Sequence, residues 1–303
     1  VYLLSEVWPI LTDTLCRVAE IWAAWEQEQL RGLLVFSLQA DHATIKHLVV
    51  DSSVSLCEWG ERLLCRLLWV MSHVTVDIDR HLMALYHQAG FLLAPPARED
   101  EEQTKWRLYY RRRDGYLDAP VLSLDGEGWV NEAIQIMSPN YDVRPEGMQA
   151  ELIVIHAISL PPYHYGGNGV QQLFMNSLDS TAHPYYATIH TLRVSAHFFI
   201  RRNGALCQFV SVAQRAWHAG LSCWQGRTQC NDFSIGIELE GGEDEPFCDA
   251  QYRQLIALIR LLKKHCPLSG IAGHQHIAPR RKTDPGPWFD WERVQRAIDM
   301  TLC

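Results

Sequence analysis

One segment constrains this fold more than any other. Residues 95–118 read PPAREDEEQTKWRLYYRRRDGYLD, a proline pair, an acidic run, a short strand-like stretch, a basic run and Gly115. Like-charge blocks stay solvated and a proline pair punctuates regular structure, so no single core runs through this region. At roughly 150 residues per domain, 303 residues suggest two domains. The boundary is expected near residue 117, giving domains 1–117 and 118–303.

Each part has material for a core, since 48% of residues are hydrophobic and 20% charged, which excludes a disordered or collagen-like chain. Glu6, Asp13 and Arg66 interrupt the longest apolar runs. A membrane span needs about 20 consecutive apolar residues, so none is expected, nor is a membrane partner. No basic, apolar and small-residue leader pattern opens the chain, and the expected compartment is the cytoplasm. The net charge of −8 divides as 12 basic against 17 acidic residues before Pro120 and 15 against 18 after it. Neither part carries the positive field that phosphate backbones require, so nucleic acid is not an expected partner. The nine cysteines include no CxxC pair, which favours reduced thiols over a zinc ribbon or a disulfide framework. No repeat is visible, and oligomeric state is not encoded in these patterns.

Periodicity predicts a mixed α/β order before the boundary. A helix is expected over 6–29, strands over 32–39 and 43–51, a helix over 58–71, a strand over 74–77, a helix over 80–89 and a strand over 106–111. After the boundary, strands are expected over 152–157, 197–200, 206–210 and 234–239. Helices are expected over 249–265, opened by an Asp249 N-cap, and over 290–300.

Nine of the fourteen histidines fall between His156 and His276, at strand ends and in loops rich in Gly and Pro. A hydrolytic zinc site takes about three His, Asp or Glu ligands and leaves one position for water. His156, ending the run LIVIH, His274 in IAGHQH and Asp284 in RKTDPGP would supply such a set. Chemistry alone leaves His276, His197 and His218 equally eligible.

Five blocks in order narrow that choice: IVIHAISLPP (153–162), RVSAHFFIRRNG (193–204), RAWHAG (215–220), CNDFSIGIELEG (230–241) and GHQHIAPRRKTDPGP (273–287). Together they resemble the AmpD-type anhydro-N-acetylmuramoyl-L-alanine amidases, in the zinc amidase family that also contains peptidoglycan recognition proteins. The resemblance runs from about residue 125 to 291. It implies a mixed β-sheet flanked by helices, one zinc ion, and hydrolysis of the amide between anhydromuramic acid and L-alanine in an anhydromuropeptide. His156, His274 and Asp284 would be the zinc ligands. Glu238 would orient and deprotonate the attacking water, and Lys282 would stabilise the oxyanion. Arg193, Trp217, His218 and Asn231 would contact substrate, with scaffold roles open for each. This chain departs from the family at Ala157, where Asn is common, at Gln229 in place of an Arg, and at Asn140 in SPNYD, usually SPHYD. These departures bear on stem-peptide preference rather than on the metal set.

The N-terminal strings IKHLVVDSS, WGERLLCRLL, VTVDIDRHLMALYHQAGF and RLYYRRR resemble the later part of a GCN5-related acetyltransferase, starting too late to hold that family's first strand. Such folds bind acetyl-CoA where backbone N–H groups of a Gly-rich turn meet a helix N-terminus. The resemblance puts Gly60 at the second glycine of that turn and Tyr86 at its general acid. Glu58 falls at the first glycine, adding bulk and negative charge beside a phosphate, so acetyl-CoA is not an expected cofactor. Two competing readings remain, a muropeptide-binding module without catalysis and a bifunctional protein with acetyl transfer in its N-terminal half.

Overall fold

In the computed structural model the described residues are 20–26, 28–39, 42–71, 73–93, 106–111 and 120–298. The chain divides into two compact units, Val1–Asp114 and Gly115–Cys303.

The first unit is a six-stranded mixed sheet. Its elements are β1 (Glu20–Glu26), β2 (Gln29–Gln39), β3 (His42–Val50), α1 (Leu56–Val70), β4 (His73–Ile78), α2 (Met83–Gln88), β5 (Leu92–Leu93) and β6 (Trp106–Arg111). The strand order is β1-β2-β3-β4-β6-β5. Among the described strands of this unit only β3 and β4 run parallel, pairing over His42–Ile45 and His73–Val76. Leu63, Leu64, Leu67 and Leu68 of α1 recur at helical spacing and pack with Leu34, Phe36 and Ile45 of the sheet.

The expected helix over 6–29 is corrected for its described part. Residues 20–26 form β1, antiparallel to β2, while residues 6–19 lie outside the described residues. Trp22 and Ala24 share one strand face and pack on the core, with Trp22 edge-on to Phe36 at 5.0 Å. Their period-two burial overrides the helical stripe. Gly60 is also not in a turn. It is the fifth residue of α1, where its N–H is committed to the helix, and a Cβ there would lie 3.1 Å from Leu85. Tyr86 is buried in the core edge-on to Phe91 at 5.2 Å, and burial pushes its phenol far above the ordinary value.

The second unit contains β7 (Ile134–Gln135), β8 (Tyr141–Val143), β9 (Leu152–Ile158), α3 (Gly169–Phe174), α4 (Pro184–Ile189), β10 (Phe198–Ile200), β11 (Leu206–Gln208) and β12 (Gln214–Ala216). It continues with the hairpin β13 (Cys223–Trp224) and β14 (Arg227–Thr228), then β15 (Ser234–Glu240), α5 (Asp249–His265), β16 (Gly270–Gly273), α6 (His274–Ile277) and α7 (Trp291–Ile298). The main sheet has the order β16-β9-β15-β10-β11-β7. Its central strands are parallel, buried and correspondingly apolar. On one face Ile153, Ile155, Ile235, Ile237 and Leu239 pack against Leu255, Leu258, Ile259 and Leu262 of α5. Strand alternation sends His156 and Glu238 to the other face.

The N-cap of α5 is Cys248, whose N–H reaches Gln251 Oε1 at 3.0 Å, and not Asp249. Asp249 instead pairs with Arg293 and Arg253. No helix among the described residues is long and apolar enough to cross a membrane.

Candidate active site

The ends of β9, β15 and β16 converge on one cleft of about 350 Å³. Glu238 stands opposite His156 in the β15–β9 register, and Gly273, the last residue of β16, stands opposite Ile155. His274 follows at the first position of α6, while Asp284 lies in the loop before α7. Close approach of the loop demands Gly273, since a Cβ there would lie 2.8 Å from Pro285.

His156 Nδ1, His274 Nδ1 and Asp284 Oδ2 form a triangle with edges of 3.0, 3.2 and 3.2 Å. All three side chains are buried. Three lone-pair donors at about 2.0–2.2 Å from a tetrahedral zinc lie about 3.3–3.5 Å apart, so both the donor set and its spacing fit that ion. Burial pushes His156 down to about 4, and the neighbouring His274 works in the same direction, so the ring is neutral as a ligand must be. Burial works to raise the Asp284 carboxyl, but the adjoining His156 and His274 rings outweigh it and hold the group well below the usual range.

Glu238 is 8% exposed, and its Oε2 has no hydrogen-bond partner. Burial, with Asp284 nearby, pushes its carboxyl well above the ordinary value, while Lys282 opposes the shift. Lys282 lines the same cleft. An unpartnered buried carboxylate with a raised affinity for protons can take and return one.

The other four sequence-predicted residues separate. His218 lines the cleft, but both ring nitrogens are engaged, Nδ1 with His156 Nε2 at 2.9 Å and Nε2 with Ser234 Oγ at 3.1 Å. Asn231 is buried, and its Oδ1 accepts from the His218 and Ala219 N–H groups. Arg193 spreads its guanidinium over the carbonyls of His190, Thr191 and Leu192 just after α4. Trp217 is outside the cleft lining, and its indole Nε1 is buried without a partner. Of the departures from the family pattern, Ala157 lines the cleft and Gln229 occupies a left-handed turn at φ 60°.

Asn140 is a bracket. Its Nδ2 reaches Val194 O and Asn176 Oδ1, both at 2.8 Å, and its own carbonyl accepts from Ser195 Oγ at 2.6 Å. It thereby holds Val194 and Ser195 at the cleft wall. Sequence reasoning missed Arg144, a buried guanidinium donating to the Asn231, Asp232 and Ser234 carbonyls before and into β15. Burial lowers it to about 10. It also missed the cleft residues Tyr163, Tyr185 and Glu243. The signal for Tyr163 was available, because SLPPYHYGG follows the C-terminal end of a parallel strand, where open α/β sheets place their sites.

The His–His–Asp triangle, beside a buried carboxylate and a lysine, is a candidate metal site with the side chains that hydrolytic chemistry needs. The profile of the N-acetylmuramoyl-L-alanine amidase family matches residues 146–287. A 1,6-anhydro-N-acetylmuramyl-L-alanine amidase, AmpD of Citrobacter freundii, is 51% identical over 174 residues, 57% of this chain and 93% of the relative. AmpD of Escherichia coli K12 is 52% identical over 171 residues, 56% of this chain and 93% of the relative. The crystal structure of a selenomethionine AmpD derivative is similar with a TM-score of 0.57 at 51% identity, over 58% of this chain and 99% of that one. This chain belongs to the N-acetylmuramoyl-L-alanine amidase family, and it is an enzyme.

Proposed function

We propose that residues 118–303 form a zinc-dependent amidase domain that cleaves the amide between the lactyl group of anhydro-N-acetylmuramic acid and L-alanine in soluble anhydromuropeptides. The observation that carries this reading is the His156–His274–Asp284 triangle, with Glu238 across the strand register from His156. Relatives about half identical, matched over nearly their whole length and named 1,6-anhydro-N-acetylmuramyl-L-alanine amidases, support the substrate class. The setting proposed with it is peptidoglycan recycling in the cytoplasm.

His156, His274 and Asp284 would hold the ion. When bound, zinc lowers the pKa of water to about 7 and polarises a carbonyl. Glu238 accepts one proton as the water oxygen bonds to the lactyl carbonyl carbon. Lys282 places positive charge where the carbonyl oxygen becomes anionic. Glu238 then returns its proton to the alanine nitrogen as the C–N bond breaks, leaving a lactyl carboxylate and a free peptide amine.

The test incubates the purified chain with anhydromuramoyl-tripeptide, with and without a zinc chelator. Free tripeptide that disappears on chelation is expected. Intact substrate in a zinc-loaded, folded sample would overturn the reading in favour of a binding module.

For residues 1–117 we propose an acetyltransferase-like domain without acetyl transfer. Gly60 inside α1 and Tyr86 inside the core support this. A thermal shift with millimolar acetyl-CoA would contradict it.

A further inference from the structure

We propose that His218 and Ala219 act as one positioning element that fixes the tautomers of both histidines in the metal triangle. Each ring then presents an unprotonated Nδ1 to the ion. The inference rests on the zinc reading above and adds to it how the ligands are prepared.

The protons can be counted from the far end of the chain of hydrogen bonds. The Cys230 carbonyl has none to give, so Ser234 Oγ, 2.5 Å away, donates to it. The Ser234 oxygen is then left to accept, and His218 Nε2, at 3.1 Å, carries the hydrogen. A neutral imidazole has one N–H, so His218 Nδ1 is a lone pair. His156 Nε2 lies 2.9 Å from that lone pair and must donate to it. His156 Nδ1 is thereby bare, 3.0 Å from His274 Nδ1.

The second branch is shorter. His274 Nε2 lies 3.2 Å from the Ala219 carbonyl, which can only accept, so its Nδ1 is bare as well. Asn231 Oδ1 accepts from the N–H groups of His218 at 3.1 Å and Ala219 at 2.8 Å, clamping the two residues together. Gly236 completes the seat. A Cβ at that position would lie 2.4 Å from His218 Cγ, so the ring lies against the β15 backbone only because this residue has no side chain.

This arrangement recasts His218. Its nitrogens are committed between a ligand and Ser234, which makes it a positioning residue rather than a substrate contact. Outer partners of this kind orient metal-bound histidines and are typically worth about 10–100-fold in metal affinity.

The test compares the full chain with its His218→Leu and His218→Asn variants by competition for zinc with a chromophoric chelator. Leucine removes the acceptor for His156 Nε2–H, whereas asparagine carries its side-chain oxygen as many bonds from Cα as His Nδ1. The expected result is zinc binding about 10–100-fold weaker in the leucine variant and near wild type in the asparagine variant. Nitrogen NMR of the imidazole rings in the wild-type chain supplies a readout independent of any variant. It should show Nε2–H tautomers at His156, His218 and His274. A folded leucine variant with wild-type affinity, or an Nδ1–H tautomer at His156 or His218, would overturn the proposal. A wild-type chain that binds no zinc would instead contradict the zinc reading, and the tautomers in that metal-free chain would still decide the relay.

Discussion

Glu238 stands directly opposite His156 in the parallel register of β15 and β9, so two neighbouring strands deliver the candidate base and a candidate metal ligand to the same face. Neither side chain depends on a flexible loop for its position. Strand pairing fixes their separation, and the apolar face packed on α5 fixes which way both point.

Glu238→Gln keeps the shape of that side chain but cannot accept the proton. The expected loss in kcat is about 10²–10⁴-fold, with the metal content unchanged. Steady-state kinetics beside metal analysis of the same sample checks this. Unaltered kcat would remove Glu238 from the mechanism.

Removal of the metal should weaken the fold, because the buried triangle brings three lone-pair donors within 3.2 Å of one another. Zinc at about 100 times its dissociation constant stabilises by about 2.7 kcal/mol if it binds only the native state. Thermal unfolding of chelated chain with and without added zinc should show an upward shift. Asp284→Ala, which removes one donor, should abolish that shift.

Asn140→Ala should destabilise the second unit. The substitution leaves Val194 O without the donor it has at 2.8 Å and breaks the reciprocal pair with Asn176. Loss of partners for buried polar groups costs about 1–3 kcal/mol. Urea unfolding should report a lower midpoint with the zinc affinity of the folded state unchanged, since Asn140 touches none of the three candidate ligands.

His197 makes stability depend on pH. It is fully buried, accepts the Gly236 N–H at Nδ1, and is pushed down by burial, with Arg144 adding to the effect, to about 3. In the unfolded chain it titrates near 6.5. Below that value the unfolded state binds a proton the native state refuses, so its contribution is full above pH 6.5 and is lost progressively as pH falls toward 3. The slope approaches about 1.4 kcal/mol per pH unit at the acid end and integrates to about 1.6 kcal/mol between pH 6.5 and 5. His197→Asn should flatten the decline of the urea midpoint over this range. Parallel profiles for the two proteins would contradict the assignment.

Much of the second unit was legible because its residues carry local information that tertiary context does not reverse. The α5 boundaries, 249–265, follow from a strong apolar period, and LIVIH and IGIEL read as strands because both faces are buried. The three residues of the triangle were nameable from block order, although spacing alone left His197, His218 and His276 equally eligible. His218 shows why the finer roles were hidden. Nothing in RAWHAG says that its imidazole meets Ser234, sixteen residues on, and His156, sixty-two residues back. Asn231 was read as a substrate contact and Asn140 as a departure for the same reason, since their partners are groups that only the fold brings near. In the first unit the alternate burial of Trp22 and Ala24 runs against the helical spacing read over 6–29, and pairing with β2 decided for the strand.

The most direct test of the central claim is to run the reaction in water enriched in heavy oxygen and weigh both products. Attack of water on the lactyl carbonyl predicts one heavy oxygen in the carboxylate of the anhydromuramic acid product and none in the released peptide. Label in the peptide, or no cleavage by the zinc-loaded chain, would contradict the account.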